Sequence, residues 1–499
     1  MSLEISLLLL VTVGAMTPIL KKELEARQRK KEAYQKLASY LMEIQEEIEQ
    51  LPIDVYLQKR WLEERFIEEV QEMVQADKAV LSYLDRALAP DIFEMVENQE
   101  QWLHDINQQF LEEEMERYGD YLDTIESNPL TPMQRLAVVT HEENNLILAG
   151  AGSGKTSVIV AKVGYILQKG YASTDEIVIL AFNKKAQEEL KERIAEKLQE
   201  PVEVKTFHAL GRKIITQSYQ EQSTNFEEMI TKATQAIREG LYTSPYRYIF
   251  IDEFQDISNE RNELILALKA LNGANITAVG DDWQAINKFA GSNIDIIQNF
   301  EEHYGATALI KLDYTFRFNQ EIADASKRFI LKNPKQIEKE IRTVKESSAQ
   351  TLYLHWYSNS KKVDEHVAKI IELIAKRSDA SNKRKSIKIL SRYSFYEPKN
   401  LQQLKEQFRD NFEIEFHTIH GSKGLEADHV IITHLEEGEF GFPSTKNVDM
   451  EEYLFGEERR LFYVALTRAK EKIFLLAHKK KTSAFVEELV DENKIYQLN

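Results

Sequence analysis

Eight consecutive residues, Ala149-Gly150-Ala151-Gly152-Ser153-Gly154-Lys155-Thr156, constrain this chain more than any other stretch of it. The apolar run 145–148, Asn-Leu-Ile-Leu, leads into them, and a helix-compatible segment, 157–167, leads out. Strand, small-residue loop and helix in that order build a phosphate cradle. Backbone N–H groups of the loop turn toward phosphate oxygens, Lys155 reaches the β and γ phosphates, and the Thr156 hydroxyl ligates Mg²⁺. The first position is Ala149, where the usual pattern has Gly, and Gly150, Gly152 and Gly154 keep the loop permissive. The predicted nucleotide contacts therefore run from Ala149 through Gly150, Ala151, Gly152, Ser153, Gly154, Lys155 and Thr156 to Ser157. A Gly-rich turn bearing an exposed lysine explains neither the spacing nor the threonine. Kinases, transporter ATPases and GTPases all remain compatible with the loop alone.

The chain of 499 residues has room for two or three domains, and its 43% hydrophobic and 29% charged content is that of a folded protein. A net charge of −18 argues against coating duplex DNA through bulk positive charge and leaves room for a local basic channel. The absence of cysteine excludes disulfides, thiolate zinc sites, iron–sulfur clusters and Cys nucleophiles. It fits a reducing compartment, so a cytoplasmic setting is expected.

Residues 5–20, ISLLLLVTVGAMTPIL, carry no charge, and Lys21, Lys22, Arg27, Arg29, Lys30 and Lys31 follow. Two readings stand. Inserted in a membrane, the run would anchor the chain at the inner face, with everything after Lys21 in the cytoplasm. Otherwise it is a buried helix or oligomer contact that Pro18 kinks or ends. The positive charges follow the run instead of preceding it, unlike a secretory signal. Residues 21–127 are rich in Glu, Gln, Lys and Leu, with Leu37, Tyr40, Leu41 and Ile44 at helical spacing, which predicts an all-helical arm. From Asn128 onward strand-like runs at 176–182, 248–252, 276–280, 352–356, 387–391 and 429–434 alternate with amphipathic helical segments. That alternation predicts an α/β fold of parallel sheets covered by helices, in two lobes at 128–291 and 292–499.

Downstream, the run Tyr248-Ile-Phe-Ile-Asp252-Glu253 ends a strand in acids. Asp252 suits Mg²⁺ alongside Thr156, and Glu253 suits the polarisation of an attacking water. A second strand end, Gly280-Asp-Asp-Trp-Gln284, offers Gln284 as a γ-phosphate sensor. Arg317 and Arg468 come from the second half, and guanidinium groups match the spread charge of a phosphoryl transition state. If both reach the nucleotide, the site lies between the lobes.

TPMQ (131–134), AGAGSGKT, AFNKKA (181–186), TFHAL (206–210), DEFQD (252–256), GDDWQAINKFAG (280–291), YTFRF (314–318), TIHGSKGLEADHVII (418–432) and EERRLFYVALTRA (457–469) occur in this order. Together they resemble the motif set of superfamily 1 helicases of the UvrD/Rep type, in particular the helicase IV branch. The resemblance covers Asn128 to the C-terminus. It implies two RecA-like lobes that grip ATP and Mg²⁺ between them, carry single-stranded DNA across their top and step 3′ to 5′. It further implies that Gln134 reads the adenine edge, Phe316 stacks on the base, Glu426 lies on the sugar side, and Arg317 and Arg468 meet the γ phosphate. Phe182 and Phe289 match positions that stack on DNA bases. Thr206, His208, Thr418, His420 and Lys423 match positions that contact the strand's backbone. Composition alone would assign both phenylalanines to core packing.

Asn287 stands where the family usually has Tyr, and Ala290 where many members have Arg, which weakens the expected coupling of Gln284 to DNA. The stretches 211–247 and 319–417 are short where larger relatives hold accessory domains, so these are expected to be reduced or absent. Unwinding is then expected to depend on a protein partner or on the arm. An ATP-gated switch or scaffold of a membrane-associated or phage-defence complex, without processive movement, is the rival reading. A helicase–nuclease fusion fits less well, because only a short Lys-rich tail follows EERR.

Overall fold

Several runs such as Ile177-Val-Ile-Leu-Ala181 and Tyr248-Ile-Phe-Ile251 are buried along their whole length, the pattern of strands covered on both faces. In the computed structural model, which describes residues 21–29, 31–32, 35–36, 39, 42–43, 56–62, 99–219, 226–345, 350–377, 384–446 and 456–498, these runs form two parallel sheets. The apolar run 5–20 lies outside the described residues, as does most of 44–98. No helix among the described residues is long and apolar enough to cross a membrane.

The chain divides into two compact units, 1–119 with 140–143, and 120–139 with 144–499. The first is helical in its described elements, the longest being Gln99–Arg117. Within it the Asn107 amide bonds both the N–H (2.9 Å) and the carbonyl (2.8 Å) of Leu57, and the Tyr56 ring meets Phe110 edge-on. Residues 120–127, predicted as part of the arm, belong to the second unit instead: the Tyr121 hydroxyl donates to the Ala161 carbonyl at 2.8 Å.

In the second unit β1 (Asn144–Ala149), β2 (Ile177–Ala181), β3 (Glu203–Thr206), β4 (Tyr248–Ile251), β5 (Asn275–Gly280) and β6 (Thr307–Leu312) form one sheet in the order β3-β2-β4-β5-β1-β6. A ribbon of β7 (Tyr314–Thr315) and β8 (Arg342–Thr343) follows. The other sheet contains β9 (Leu352–Tyr357), β10 (Lys385–Ser391), β11 (Phe412–Thr418), β12 (Ala427–Leu435), β13 (Ala469–His478) and β14 (Tyr496–Leu498), ordered β11-β10-β12-β13-β9-β14. The boundary expected near Gly291 moves past Leu312, because β6 pairs with β1 from Asn144↔Thr307 to Ala149↔Leu312. The intervening polar stretch carried no strand signal that marked β6 as part of the first sheet.

The described residues of 211–247 complete the helix Phe207–Tyr219 and form the helix Phe226–Arg238, which packs on it and on Asn259–Asn272. Those of 319–417 form the helices Gln320–Leu331, Val363–Arg377 and Leu401–Gln407 with β8 to β11. One core cluster joins Phe318, Ile322 and Phe329 to Leu461, Phe462 and Val464, so the helix after β7 packs with the second sheet.

Lys162 is buried in the helix Lys155–Lys169, and its ammonium donates to the carbonyls of Ala137 (3.0 Å) and Val138 (3.3 Å) in the last turn of the helix Pro132–Val139. A cation there satisfies carbonyls that the helix itself cannot. Lys162→Met should cost about 1–3 kcal/mol in chemical denaturation, because two buried acceptors lose their donor. Burial pulls Lys162 from 10.5 down to about 7. The folded protein therefore releases a proton that the unfolded chain keeps between those values, and the burial penalty on the charge, full below about 7, is relieved as pH rises. The deficit of the methionine variant should accordingly widen from pH 7 upward, and a pH-independent deficit would contradict the assignment.

Candidate functional site

Parallel strands present their carboxyl ends to one edge, and the order β4-β5-β1 sets three loops side by side there. After β1 the loop 150–154 turns directly into the helix Lys155–Lys169. Gly152 and Gly154 lie at φ 75 and 82. A Cβ on Gly152 would fall 2.5 Å from that of Arg317, and one on Gly154 would fall 2.6 Å from Gln134 Nε2, so neither position takes a side chain. Ala149 is different: it is still strand, paired with Leu312, and its methyl group fits. Ser153 closes the turn, its N–H (3.2 Å) and hydroxyl (2.8 Å) both donating to the Gly150 carbonyl. Lys155 Nζ rests 3.2 Å from the Ala149 carbonyl. Gln134 Nε2 donates to the Ser153 carbonyl at 2.9 Å, and the Phe316 N–H to that of Gly152 at 2.9 Å. The partly exposed Phe316 thus stands directly beside the loop.

Asp252 follows β4, its N–H continuing the ladder to the Leu180 carbonyl at 3.0 Å. Glu253 sits in the left-handed region at φ 49, a strained turn for a non-glycine residue, and its carboxylate accepts from Gln255 Nε2. Burial, then the neighbouring charge of Glu253, pushes the Asp252 carboxyl up. Burial opposes ionisation of Glu253 too, but Lys155 and Lys423 outweigh it and hold that carboxyl low. A cation beside Asp252 would oppose both causes of its rise.

From Gln255 a buried polar chain continues. Its Oε1 accepts from the Asp281 N–H at 2.8 Å, and Asp281 Oδ2 accepts from Gln284 Nε2 at 2.6 Å. Gln284 Oε1 in turn accepts from Arg468 Nη2 at 3.1 Å. Lys339, fully buried, donates to Asp281 at 2.5 Å and Asp282 at 2.6 Å, and lies over the Trp283 ring. Burial disfavours its charge, yet the two aspartates outweigh burial and keep the ammonium above its ordinary value. Lys423 spans Asp256 Oδ2 (2.5 Å) and the Gln284 carbonyl (3.1 Å).

Arg317 donates to Glu426 at 2.9 Å and the Thr467 carbonyl at 3.2 Å. Arg468, buried at the end of the helix Glu457–Leu466, also donates to the carbonyls of Val464 (3.0 Å) and Leu425 (3.2 Å). Burial and nearby Arg317 pull its pKa down to about 9. A cavity of about 510 Å³ is lined by residues 150–157, Asp252, Glu253, Gln284, Arg317 and Arg468. Loop N–H groups, a lysine and two arginines are a donor set for a triphosphate. The Thr156 hydroxyl and the buried Asp252 carboxylate are hard oxygen donors that fit Mg²⁺.

Among the predicted strand contacts, Phe289 is 74% exposed and its ring stands edge-on to that of His420, with centroids 5.4 Å apart. Burial, with Arg392 and Lys423 nearby, lowers His420 to about 4, so the imidazole is neutral. Phe182 is half-buried, lines the nucleotide cavity and has the Arg261 guanidinium 4.7 Å over its ring. Thr206 and Thr418 use their hydroxyls locally, accepting from the N–H groups of Ala209 (3.2 Å) and Gly421 (3.1 Å). His208 lies near Arg261 and Arg212, and burial followed by these charges lowers its pKa.

Two of the expected contact residues are engaged within the protein. Lys423 is paired with the buried Asp256 and lines the cavity. Glu426 is held by Arg317 and by Lys470 (2.6 Å), and Arg317 itself lines the cavity. Sequence reading missed Asp256, Asp281 and Lys339. The Asp281-Asp282 pair at the end of an apolar strand demanded a cation, but Lys339 lies 57 positions from Asp282 and no local pattern pointed to it. Asn287, noted only as a departure, lies beside Asp256 and favours its charged form.

Comparison with known proteins matches residues 130–241 and 220–305 to the UvrD/REP helicase N-terminal domain, and residues 394–480 to the UvrD-like helicase C-terminal domain. DNA helicase IV of Escherichia coli (strain K12) is 31% identical over 77% of this chain and 75% of its own length. The ATP-dependent DNA helicase PcrA of Leuconostoc citreum is 25% identical over 46% of this chain, which covers 42% of that protein. A probable DNA helicase II homolog of Mycoplasma capricolum is 23% identical over 49% of this chain and 47% of its own length. The chain thus spans less than half of the latter two.

Lys339→Met strands two buried carboxylates without their cation. It should lower unfolding free energy by about 3–5 kcal/mol in urea denaturation, and an unchanged midpoint would contradict the buried triad.

Proposed function

The chain belongs to the UvrD/Rep helicase family, and from that premise we propose that it is an ATP-hydrolysing motor that travels 3′ to 5′ along single-stranded DNA. The observation that carries this reading is the Gln284 amide, shared between Asp281 of the first lobe and Arg468 of the second. A residue so placed can relay the state of the γ phosphate to the way the lobes meet.

In this mechanism the loop N–H groups and Lys155 bind the phosphates, while Gln134 and Phe316 stand beside the loop to receive the base. Thr156 and Asp252 would hold Mg²⁺, which would supply charge neutralisation when bound. Glu253, kept ionised by Lys155 and Lys423, orients the attacking water and takes its proton. Arg317 and Arg468 stabilise the charge spread over the transferring group. Phe289, standing in solvent beside His420, offers its face to a base, which is how a chain of net charge −18 can hold a strand.

The described residues of 211–247 and 319–417 serve the lobes' own layers, which favours weak unwinding by the chain alone and stronger unwinding with a protein partner. The lack of cysteine favours a cytoplasmic setting, and membrane fractionation would test attachment through residues 5–20. The rival reading, an ATP-gated switch without processive movement, is favoured only by these short stretches and the apolar N-terminus.

ATPase rate with and without single-stranded DNA separates the two: strong stimulation is expected, and none would sink the motor reading. Lys155→Ala should abolish turnover. Arg468→Ala should keep ATP affinity within a few-fold and lower kcat by about 10³, the arginine's contribution being mainly to the transition state. Equal loss of nucleotide binding in both variants, measured by titration calorimetry, would contradict that division.

A further inference from the structure

Three neighbouring strands of the second sheet, in the order β11-β10-β12, release the chain at one edge. The segment after β11 carries His420, that after β10 carries residues 392–396, and that after β12 carries residues 436–446. The first of these already faces Phe289. The other two bring aromatic side chains that no role described above uses.

Phe395 is 62% exposed and Phe440 is 46% exposed. Their rings meet edge-on with centroids 5.9 Å apart, and Tyr393 stacks on Phe395 at 5.1 Å and 11°. The cluster is tied in place across the two loops, the Tyr396 hydroxyl donating to the Phe440 carbonyl at 3.0 Å and that of Tyr393 to Ser444 at 2.9 Å. Rigid aromatic faces left in water are costly unless something covers them. Cations flank both ends: the Arg392 guanidinium, also paired with Glu458 at 2.8 Å, lies 5.0 Å over the Tyr393 ring, and the Lys446 ammonium, 3.6 Å from Glu439, lies 5.4 Å over that of Phe440. Arg392 is also close enough to His420 to disfavour its protonation, so the cluster continues the edge that Phe289 and His420 begin.

Flat rings interleaved with cations, on a strongly acidic chain, suit stacked bases joined by phosphates better than an aliphatic partner surface. We propose that Phe395 and Phe440 form a second base-stacking platform, which takes nucleobases of the single strand over the second lobe while the exposed Lys446 meets an adjoining phosphate. The proposal rests on the reading of the chain as a single-strand motor and adds to it a site and a contact chemistry.

The test is the affinity of the full chain for oligothymidylates of increasing length. Phe395→Ala and Phe440→Ala should each weaken binding of long strands about tenfold, within the range for one lost base stack, and leave short strands that reach only Phe289 unaffected. The slope of log affinity against log salt should stay the same, because no phosphate contact is removed. Phe395→Trp should keep native affinity and lose fluorescence when a long strand binds. Native affinity in both alanine variants at every length, with weakening by Phe289→Ala, would overturn the platform and leave the motor reading intact. A native chain that binds no oligothymidylate would overturn both.

Discussion

The amide of Gln284 is held from two sides at once, and the arrangement of the catalytic cleft depends on that grip. Its nitrogen donates to Asp281 and its oxygen accepts from Arg468. Neither partner is free to follow the other: Asp281 is locked by Lys339 and the Gln255 amide, and Arg468 by backbone carbonyls of its own lobe. Relative movement of the lobes must therefore break a buried hydrogen bond to a charged group, worth about 1.5–3 kcal/mol. Coupling between two ligand sites is typically about 1–3 kcal/mol. One such bond is thus of the size that communication between nucleotide and strand requires.

The fold makes this contact possible through strand order. With β4, β5 and β1 adjacent, the acids after β4, the Asp281 turn after β5 and the phosphate loop after β1 open at one edge. The segment after β7 delivers Arg317, and the turn before β13 of the second sheet delivers Arg468. Gly152 shows how closely the parts meet, since Arg317 Cβ and the Thr315 hydroxyl leave no room for a methyl group. The strained backbone of Glu253 belongs to the same economy of space, placing one acid toward Gln255 while its neighbour stays at the strand end.

Much of this was legible in the residues. The loop, the acids after β4, Gln284 and both arginines were named from patterns in which local spacing dictates geometry, and they line one cavity. Strand-like, largely apolar runs at 176–182, 352–356 and 429–434 were equally plain. What escaped was decided by distance and burial. β6, Thr-Ala-Leu-Ile-Lys-Leu, reads as a half-exposed edge, and only its pairing with β1 assigns it to the first lobe. The pairing of Lys423 with the buried Asp256 spans 167 positions, and no local pattern announces it. Lys339 had no motif at all. Pairings of buried charges are long-range facts, and a sequence records only that each charge needs a partner.

The most direct test of the Gln284 relay is the affinity for single-stranded DNA with and without a non-hydrolysable ATP analogue, in the native chain and in Gln284→Ala. The native chain should show a nucleotide-dependent change of affinity, matched by an equal factor when nucleotide affinity is measured with and without the strand. In Gln284→Ala that factor should fall close to one, with each ligand alone binding nearly as before. An undiminished factor in the variant would mean that the lobes communicate by another route and would contradict the relay.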